Sequence, residues 1–259
     1  MKKILIALGA LAAFAGSASA ADMGRPYVKA PEPIAVAPSW TGFYLFGGFG
    51  GGIWDANNGV QSTATGACII CTNTKLGGDG WFGTVGAGYD WQASSWVLGV
   101  FADGQFGSLK GSIQDTGLGI VGSEKMQDAW AVGARLGYLV APNVLSYVNA
   151  GYTQTYWSGS TLLGNVSGLP SGWHTNSFNR GGGFVGGGVE NNLNIFGINA
   201  PGWFMKTEYR LSYIGSKNVS ELIDGTNVPN GRDINFKPLV NTISTSLVYR
   251  FNWGSPVRY

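Results

Sequence analysis

The chain has 259 residues, of which 12% are charged and 43 are glycine, and its formal net charge is +2. Ordinary globular proteins carry about 25% charged residues and about 7% glycine. A net charge this close to zero does not indicate binding to nucleic acid or to acidic lipid. The composition is therefore that of a glycine-rich protein with unusually few surface charges.

The first twenty residues have the pattern of an export signal. Lys2 and Lys3 precede an uncharged apolar run from Ile4 to Gly16, and small residues follow at Ala18-Ser19-Ala20. This run is shorter than the about 20 residues that a membrane-spanning helix needs, so a membrane anchor is disfavoured. We predict a secretory signal peptide over residues 1–20, with cleavage after Ala20.

Residues 21–39 contain four of the ten prolines and show no apolar periodicity. This composition is typical of an extended linker. We predict a Pro-rich periplasmic N-terminal tether over residues 21–39, followed by one domain over residues 40–259.

The remaining sequence alternates between apolar and polar residues, which is the periodicity of β-strands. The pattern is clearest from Trp203 to Tyr213, where aromatic and aliphatic residues alternate with Lys206, Glu208 and Arg210. The segment from Trp40 to Trp54 is apolar or glycine on both faces, so the sequence does not orient it. Eight such segments are predicted, near residues 40–54, 81–92, 96–106, 129–138, 145–156, 182–190, 203–213 and 240–251.

The distribution of charge between the two strand faces distinguishes a membrane barrel from a soluble one. A soluble barrel is charged outside and apolar inside, whereas a bilayer requires the reverse. The central parts of the apolar faces carry no charged residue. The opposite faces carry four acidic and four basic residues, which we predict to form a charge network inside the barrel: Asp90, Asp103, Glu190, Glu208, Arg135, Lys206, Arg210 and Arg250.

Aromatic residues lie at both ends of the apolar faces, eight to ten positions apart. At about 3.3 Å per residue and a tilt near 40°, this spacing covers roughly 20–25 Å along the membrane normal. Amphipathic rings favour that interfacial level, so we predict two aromatic girdles. Their members are the pairs Trp81 and Trp91, Trp96 and Phe106, Trp130 and Tyr138, and Trp203 and Tyr213.

Connections of two lengths alternate along the chain. Long ones are expected near residues 55–80, 107–125, 157–181 and 214–239, and shorter ones near 93–95, 139–143 and 191–202. Long loops outside the cell and short turns in the periplasm are typical of outer-membrane barrels. The prediction is an all-β fold, an eight-stranded antiparallel transmembrane β-barrel with both ends in the periplasm.

Short motifs in a fixed order resemble the small OmpA-like, porin-family outer-membrane proteins of rhizobia and related alphaproteobacteria. The motifs are WTGFY at 40–44, GYDWQ at 88–92, RLGY at 135–138, GGGVE at 186–190, KTEYR at 206–210 and LVYRF at 247–251. The resemblance covers the mature chain and implies an eight-stranded outer-membrane barrel with a structural or porin-like role. It also implies a C-terminal aromatic residue that the barrel insertion machinery recognises, either Phe251 or the terminal Tyr259.

Candidate chemistry is sparse. Cys68 and Cys71 are the only cysteines, and export to an oxidising compartment predicts a local disulfide between them. A zinc site needs four ligands, but the two cysteines and the distant His174 are the only candidates, so a zinc site is disfavoured. A redox site is disfavoured as well, because it needs a thioredoxin-like setting around the two cysteines. His174 has no recognisable catalytic partner by spacing, and the G-x-G-x-x-G match at residues 181–186 is not followed by a helical pattern. No catalytic residue, metal or cofactor is therefore expected, and the protein is not predicted to be an enzyme.

Three functions remain open at this stage. The first is a structural barrel that contributes to envelope integrity and displays four surface loops. The second is a narrow channel for small solutes, which is disfavoured because eight strands enclose a space that side chains fill. The third is an adhesin or receptor acting through the loop from Trp157 to Asn179. Expected partners are outer-membrane lipid or lipopolysaccharide and the barrel insertion machinery; the oligomeric state is left open.

Overall fold

A computed structural model describes residues 39–251, apart from the side chains at positions 72 and 73. The predicted signal peptide, almost all of the predicted tether and the C-terminal residues 252–259 with Tyr259 lie outside the described residues. Within the described range, no helix combines the length and apolar character that crossing a membrane requires.

Eight long antiparallel strands form a closed ring. These strands are β1 (Gly42–Ser62), β2 (Cys68–Ala93), β3 (Trp96–Asp115), β4 (Ile120–Ala141), β5 (Val144–Trp157), β8 (Phe178–Asn192), β9 (Trp203–Ile214) and β11 (Pro229–Arg250). They pair in the order β1-β2-β3-β4-β5-β8-β9-β11, and β11 pairs again with β1. The predicted eight-stranded antiparallel barrel is confirmed.

The first and last strands of the ring are joined along most of their length. Their register runs without interruption from Tyr44 opposite Arg250 to Ser62 opposite Arg232. Since every strand has two neighbours, the ring has no free edge at the level where a bilayer would surround it.

The turns at one end of the ring are short. Ser94 and Ser95 connect β2 to β3, and Ser94 adopts a positive φ of 56° that a two-residue hairpin favours. Pro142 and Asn143 separate β4 from β5, and a 3-10 helix (Leu193–Phe196) lies between β8 and β9. These connections coincide with the three short ones expected from the sequence.

The segments predicted as long loops are mostly strand. β1 to β4 and β11 continue well beyond the predicted segments, and three short strands, β6 (Ser160–Gly164), β7 (Pro170–Thr175) and β10 (Lys217–Ile223), lie above β5, β8 and β9. The wall continues beyond the eight-stranded ring, away from the short turns, through pairings of β4 with β6, β6 with β7, β7 with β10 and β10 with β11. We call this part, residues 54–80, 107–129, 157–181 and 214–240, the extension.

Below the extension, the outer face of the wall is apolar and we call this the spanning part. Its first strand, which the sequence could not orient, points Tyr44 and Phe46 inward and Phe43, Leu45 and Phe49 outward. All eight predicted girdle residues lie on the outer face, with exposed fractions from 41% for Trp130 and Trp203 to 75% for Trp81. A surface this apolar is suited to contact with lipid.

Candidate functional site: a filled barrel lumen

All eight residues of the predicted charge network lie inside the ring and are buried. Alternation along the strands brings them there, because every second side chain points into the lumen. They come from six strands of the spanning part: Asp90 on β2, Asp103 on β3, Arg135 on β4, Glu190 on β8, Lys206, Glu208 and Arg210 on β9, and Arg250 on β11. The sixth of these strands, β11, closes the ring against β1.

Four of these residues form a charge cluster at the end of the ring that has the short turns. Arg135 donates hydrogen bonds to Asp90, with Nε 2.9 Å from Oδ1, and to Glu190, with Nη1 3.0 Å from Oε2. Arg250 contacts the same two carboxylates, with Nη2 2.8 Å from Asp90 Oδ2 and 2.8 Å from Glu190 Oε1. Two guanidinium groups and two carboxylates therefore alternate in a closed circuit.

The other four form a central charge cluster. Arg210 contacts Asp103 through two nitrogens, with Nη1 3.0 Å from Oδ1 and Nη2 2.7 Å from Oδ2. Glu208 accepts hydrogen bonds from Arg210 Nη2 at 2.8 Å and from the Tyr147 hydroxyl at 2.8 Å. Lys206 Nζ is 3.8 Å from the same carboxylate. Bidentate contacts of this kind are the strongest and most directional of charged hydrogen bonds.

Aromatic rings separate and cover the ions. Lys206 Nζ lies 3.3 Å from the centre of the Phe46 ring, and the Arg210 guanidinium carbon lies 4.4 Å from that of Phe184. At the end with the short turns the Arg250 guanidinium stacks on Trp40, whose indole Nε1 donates to the Pro142 carbonyl oxygen. Cation–ring contacts of this type strengthen when water is excluded. The lumen of the spanning part is thus filled by paired ions and rings.

The lumen of the extension is filled by apolar side chains, which the sequence analysis did not identify. Trp54, Trp157 and Phe236 pack edge to face, with ring centres 5.0–5.4 Å apart. Trp54 Nε1 donates to the Leu109 carbonyl oxygen at 3.1 Å. Trp157 and Phe236 lie in segments expected to be loops, and Trp54 is the last residue of the first predicted strand. In this part the inside of the wall is apolar and the outside polar, the reverse of the spanning part.

Two buried acidic groups accompany this apolar core. Glu124 of β4 is 0% exposed. Burial raises its pKa to about 8, and the backbone N–H of Lys125 offsets only part of this effect. Burial also raises the pKa of Glu221 to about 7, and the neighbouring Asp115 carboxylate adds to the effect. Burial opposes ionisation of Asp115, but hydrogen bonds from Arg232 hold its pKa below the ordinary value.

The remaining candidate residues have structural surroundings. Cys68 and Cys71 are joined as a disulfide where β2 begins. His174 lies between two side chains of the β10–β11 hairpin, with Nδ1 2.7 Å from Asp224 Oδ1 and Nε2 2.9 Å from Asn227 Oδ1, partners that sequence spacing did not reveal. Residues 181–186 are part of strand β8. Among the described residues, no three His, Cys, Asp or Glu side chains are grouped to hold a metal ion.

Phe251, one of the two predicted insertion signals, ends the described chain. Its ring is exposed and lies 5.1 Å from the ring of Tyr249, and its backbone N–H donates to the Phe43 carbonyl oxygen at 3.1 Å. The residue is therefore on the outer face of the closing β1–β11 pair, at the end of the ring that has the short turns.

Comparison with known proteins agrees with this architecture. The family described as outer membrane protein beta-barrel domain matches residues 6–251. The chain belongs to this outer-membrane β-barrel family. The barrel is 29% identical to the 31 kDa outer-membrane immunogenic protein of Brucella melitensis, over 97% of this chain and 100% of the relative. It is 30% identical to the 25 kDa outer-membrane immunogenic protein of Brucella abortus, over 90% of this chain and 93% of the relative.

A solved structure supports the fold of this outer-membrane barrel. The outer membrane protein OprG of Pseudomonas aeruginosa superposes with a TM-score of 0.55 at 12% identity, over 83% of this chain and 99% of OprG. At that identity the likeness concerns the fold alone. Family, relatives and fold together place the protein in the outer membrane of the cell.

Proposed function

We propose that this outer-membrane barrel is a closed structural protein that contributes to envelope integrity and displays rigid hairpins at the cell surface. One observation carries the proposal: the four acidic and four basic side chains of the lumen are paired with one another, and none is free to line a water-filled path. An eight-stranded ring is about wide enough for side chains to fill it, and here they do.

The lumen is filled at three successive levels. Trp40 and Phe204 pack at the periplasmic end, the two charge clusters lie between, and the Trp54, Trp157 and Phe236 rings lie in the extension. A solute passing through would have to separate buried ion pairs, which costs several kcal/mol for each charge left uncompensated. A continuous channel would therefore need this interior to rearrange.

Planar-bilayer recording of the refolded protein tests the proposal. The wild-type barrel is expected to give no steady openings, and the variant Trp81→Ala, which alters only the outer face, should behave identically. Steady openings of the wild type that change in size or ion selectivity with Glu208→Ala, but not with Trp81→Ala, would contradict the closed barrel and favour the channel.

The role in the envelope is tested in the bacterium itself. Deleting the gene should increase sensitivity to detergent and to large hydrophobic antibiotics, and the wild-type gene should restore resistance. Unchanged sensitivity, together with loss of cell attachment by the deletion strain, would instead favour an adhesin or receptor.

The proposal includes an orientation, with the extension outside the cell. Its polar outer surface and the short turns at the opposite end support this arrangement, and the Brucella relatives are named immunogenic, which suits surface-exposed proteins.

Cys68 and Cys71 provide an internal probe, because they are the only two cysteines of the chain and lie in the extension. After reduction of intact cells, a membrane-impermeant maleimide should label the wild type and leave Cys68→Ser/Cys71→Ser unlabelled. Labelling only after cell lysis would reverse the orientation.

A further inference from the structure

The wall of the extension has an opening, which we call the seam, between the β7–β8 side and the β9–β10 side. Below it the β8–β9 ladder ends at Gly182 opposite Ile214, and above it β7 meets β10 at His174 opposite Leu222. Residues 175–181 and 215–221 between these points do not pair with each other as strands. The Gly215 N–H, which donates to the Gly181 carbonyl oxygen at 3.0 Å, gives a backbone hydrogen bond across the lower end of the seam.

The seam arises because three strands break at nearly the same height. β5 ends at Trp157 and β6 begins at Ser160, β7 ends at Thr175 and β8 begins at Phe178, and β9 ends at Ile214 and β10 begins at Lys217. Seven residues of extended chain cover about 23 Å. Strand edges along this length carry backbone donors and acceptors that are available to a ligand.

Two adjoining clefts occupy the seam. One has a volume of about 500 Å³ and the other about 280 Å³, and they share Ser177, Phe178 and Lys217 as lining residues. Their polar rims carry side chains that donate and accept hydrogen bonds: Gln127, Asp128, Asn176, Asn179, Asn218 and Ser220. The inner end is closed by Trp157 and Phe178, whose rings are stacked at an interplanar angle of 8°. The clefts are therefore blind recesses in the wall.

Two cations lie in this seam without an anionic partner in the described part of the protein. Lys217 lines both clefts, and the Arg180 side chain crosses the seam, with Nε 3.1 Å from where a Cβ atom would stand at Gly215. Both side chains are exposed, and neither forms an ion pair with a described residue. Lys217 lines the recess and Arg180 reaches Gly215, two positions before Lys217 in the chain. Two cations on one seam are suited to a phosphate group, which accepts several charged hydrogen bonds at once.

The height of the seam identifies what surrounds it. Its lower end, at Ile214, directly follows Tyr213 of the outer aromatic girdle, and exposed Tyr156 borders the larger cleft. Aromatic girdles mark the level where hydrocarbon gives way to headgroups. Unpaired strand edges are not tolerated in hydrocarbon but can be satisfied among polar headgroups.

We propose that the seam binds the phosphorylated sugar headgroup of an outer-leaflet glycolipid. The phosphate would lie between Arg180 and Lys217, and the sugar hydroxyls would bond to Asp128, the asparagine side chains and the free strand edges. The inference goes beyond the closed-barrel role and rests on one part of it, the outward orientation of the extension, which the maleimide experiment tests separately.

Native mass spectrometry of the full barrel in zwitterionic detergent, titrated with bis-phosphorylated lipid A, tests this site. Arg180→Gln/Lys217→Gln should lower the bound fraction at limiting lipid A about fivefold, as expected for the loss of two exposed charged contacts. The matched control is Lys75→Gln/Lys110→Gln, which removes the same charge from exposed positions on β2 and β3, two strands that do not border the seam. It should bind as the wild type does.

Further lipids define the recognised chemistry. Dephosphorylated lipid A should bind the wild type about as weakly as bis-phosphorylated lipid A binds the seam variant, and phosphatidylglycerol, which has phosphate but no sugar, should also bind weakly. Equal losses in the seam and control variants, or equal binding of phosphatidylglycerol and lipid A, would overturn the proposal. Undiminished lipid A binding by the seam variant would also overturn it and leave the free strand edges to another ligand, such as an extended peptide.

All variants should first show the same heat-dependent gel shift as the wild type, and the single substitution Lys217→Gln is the alternative if the double variant does not fold.

Discussion

Arg135 is enclosed by two carboxylates and two aromatic rings in the lumen. It contacts Asp90 and Glu190, and its guanidinium lies between the rings of Tyr44 and Tyr147, at 4.4 and 5.1 Å from their centres. A buried ion pair adds little net stability over an apolar replacement, but removing one partner leaves the other charge buried without compensation. The network is therefore sensitive to the loss of a single member.

Replacing Arg135 should test this sensitivity. Arg135→Ala leaves two carboxylates that share only Arg250, and we expect the free energy of unfolding to fall by about 3–5 kcal/mol. Urea unfolding in detergent micelles, followed by tryptophan fluorescence, measures the change. Lys75→Ala, an exposed residue of the extension, should change stability by less than about 0.5 kcal/mol. Equal stability of Arg135→Ala and wild type would show that the lumen ions are solvated.

Glu124 should make the stability of the barrel depend on pH in an unusual direction. Its pKa rises from an ordinary 4.5 to about 8 in the folded protein, so the folded state holds a proton that the unfolded state releases. Stability contributed by this proton is complete below about pH 4.5 and is lost as pH rises toward 8. Between pH 5 and 9 the wild type should lose on the order of 4 kcal/mol more than Glu124→Gln does.

The same urea titration at several pH values checks this dependence. Asp55→Asn is the matched control, because Asp55 is an exposed carboxyl on the outer face of the extension, and its pH profile should follow that of the wild type. Parallel profiles for Glu124→Gln and wild type would mean that the Glu124 carboxyl is ionised in the folded protein.

At the scale of the strand, the glycines of β1 separate into two kinds. A Cβ atom at Gly48 would meet the backbone of Thr245 and Ser246 on β11 far inside contact distance, whereas one at Gly47, on the outer face, would meet nothing closer than 3.9 Å. The inner surface of a small barrel is more crowded than the outer one, and glycine there permits close approach of neighbouring strands.

Adjacent substitutions in β1 test this distinction. Gly48→Ala should lower the free energy of unfolding by about 1–3 kcal/mol through overpacking against a backbone that has no room to move, and Gly47→Ala should change it by less than about 0.5 kcal/mol. The midpoints of thermal or urea unfolding of the two variants measure this difference. A larger loss from Gly47→Ala than from Gly48→Ala would place the wrong face of β1 inside.

The sequence predicts the strands of the spanning part because their two faces differ sharply in polarity. Trp203 to Tyr213 shows this contrast, with Lys206, Glu208 and Arg210 inward and aromatic residues outward. The extension has the opposite and weaker pattern: Trp54 and Trp157 point inward, while Asn, Ser and Thr face solvent. Strands whose outer faces are polar resemble loops in sequence. For this reason the sequence does not predict the apolar core or the buried Glu124 within it.

The segment from Trp157 to Asn179, considered from sequence as a binding loop, shows why strand pairing cannot be read locally. Trp157 is 1% exposed within the apolar core, and β6 and β7 form part of the wall. The seam depends on where β5, β7 and β9 stop, which is set by contacts with strands distant in sequence. No local pattern of residues predicts that coincidence.

At the scale of the whole molecule, closure and a filled lumen should make unfolding slow. The ring has no free strand from which separation could begin, and its buried clusters join strands on opposite sides of the lumen, as Arg210 of β9 joins Asp103 of β3. We expect the folded barrel to resist SDS at room temperature and to migrate on gels differently before and after boiling. Identical migration in both cases would contradict a sealed ring.

The pairing of β1 with β11 also determines the order of events in biogenesis. Tyr44 and Arg250 face each other across the closing pair although more than 200 positions of chain separate them. Contacts between such remote positions form late, because a long loop must first be organised. A ribosome product that stops short of β11 would keep β1 as an unsatisfied edge, open to association with other chains. Completion of the barrel thus depends on one late event, the pairing of its final strand with its first.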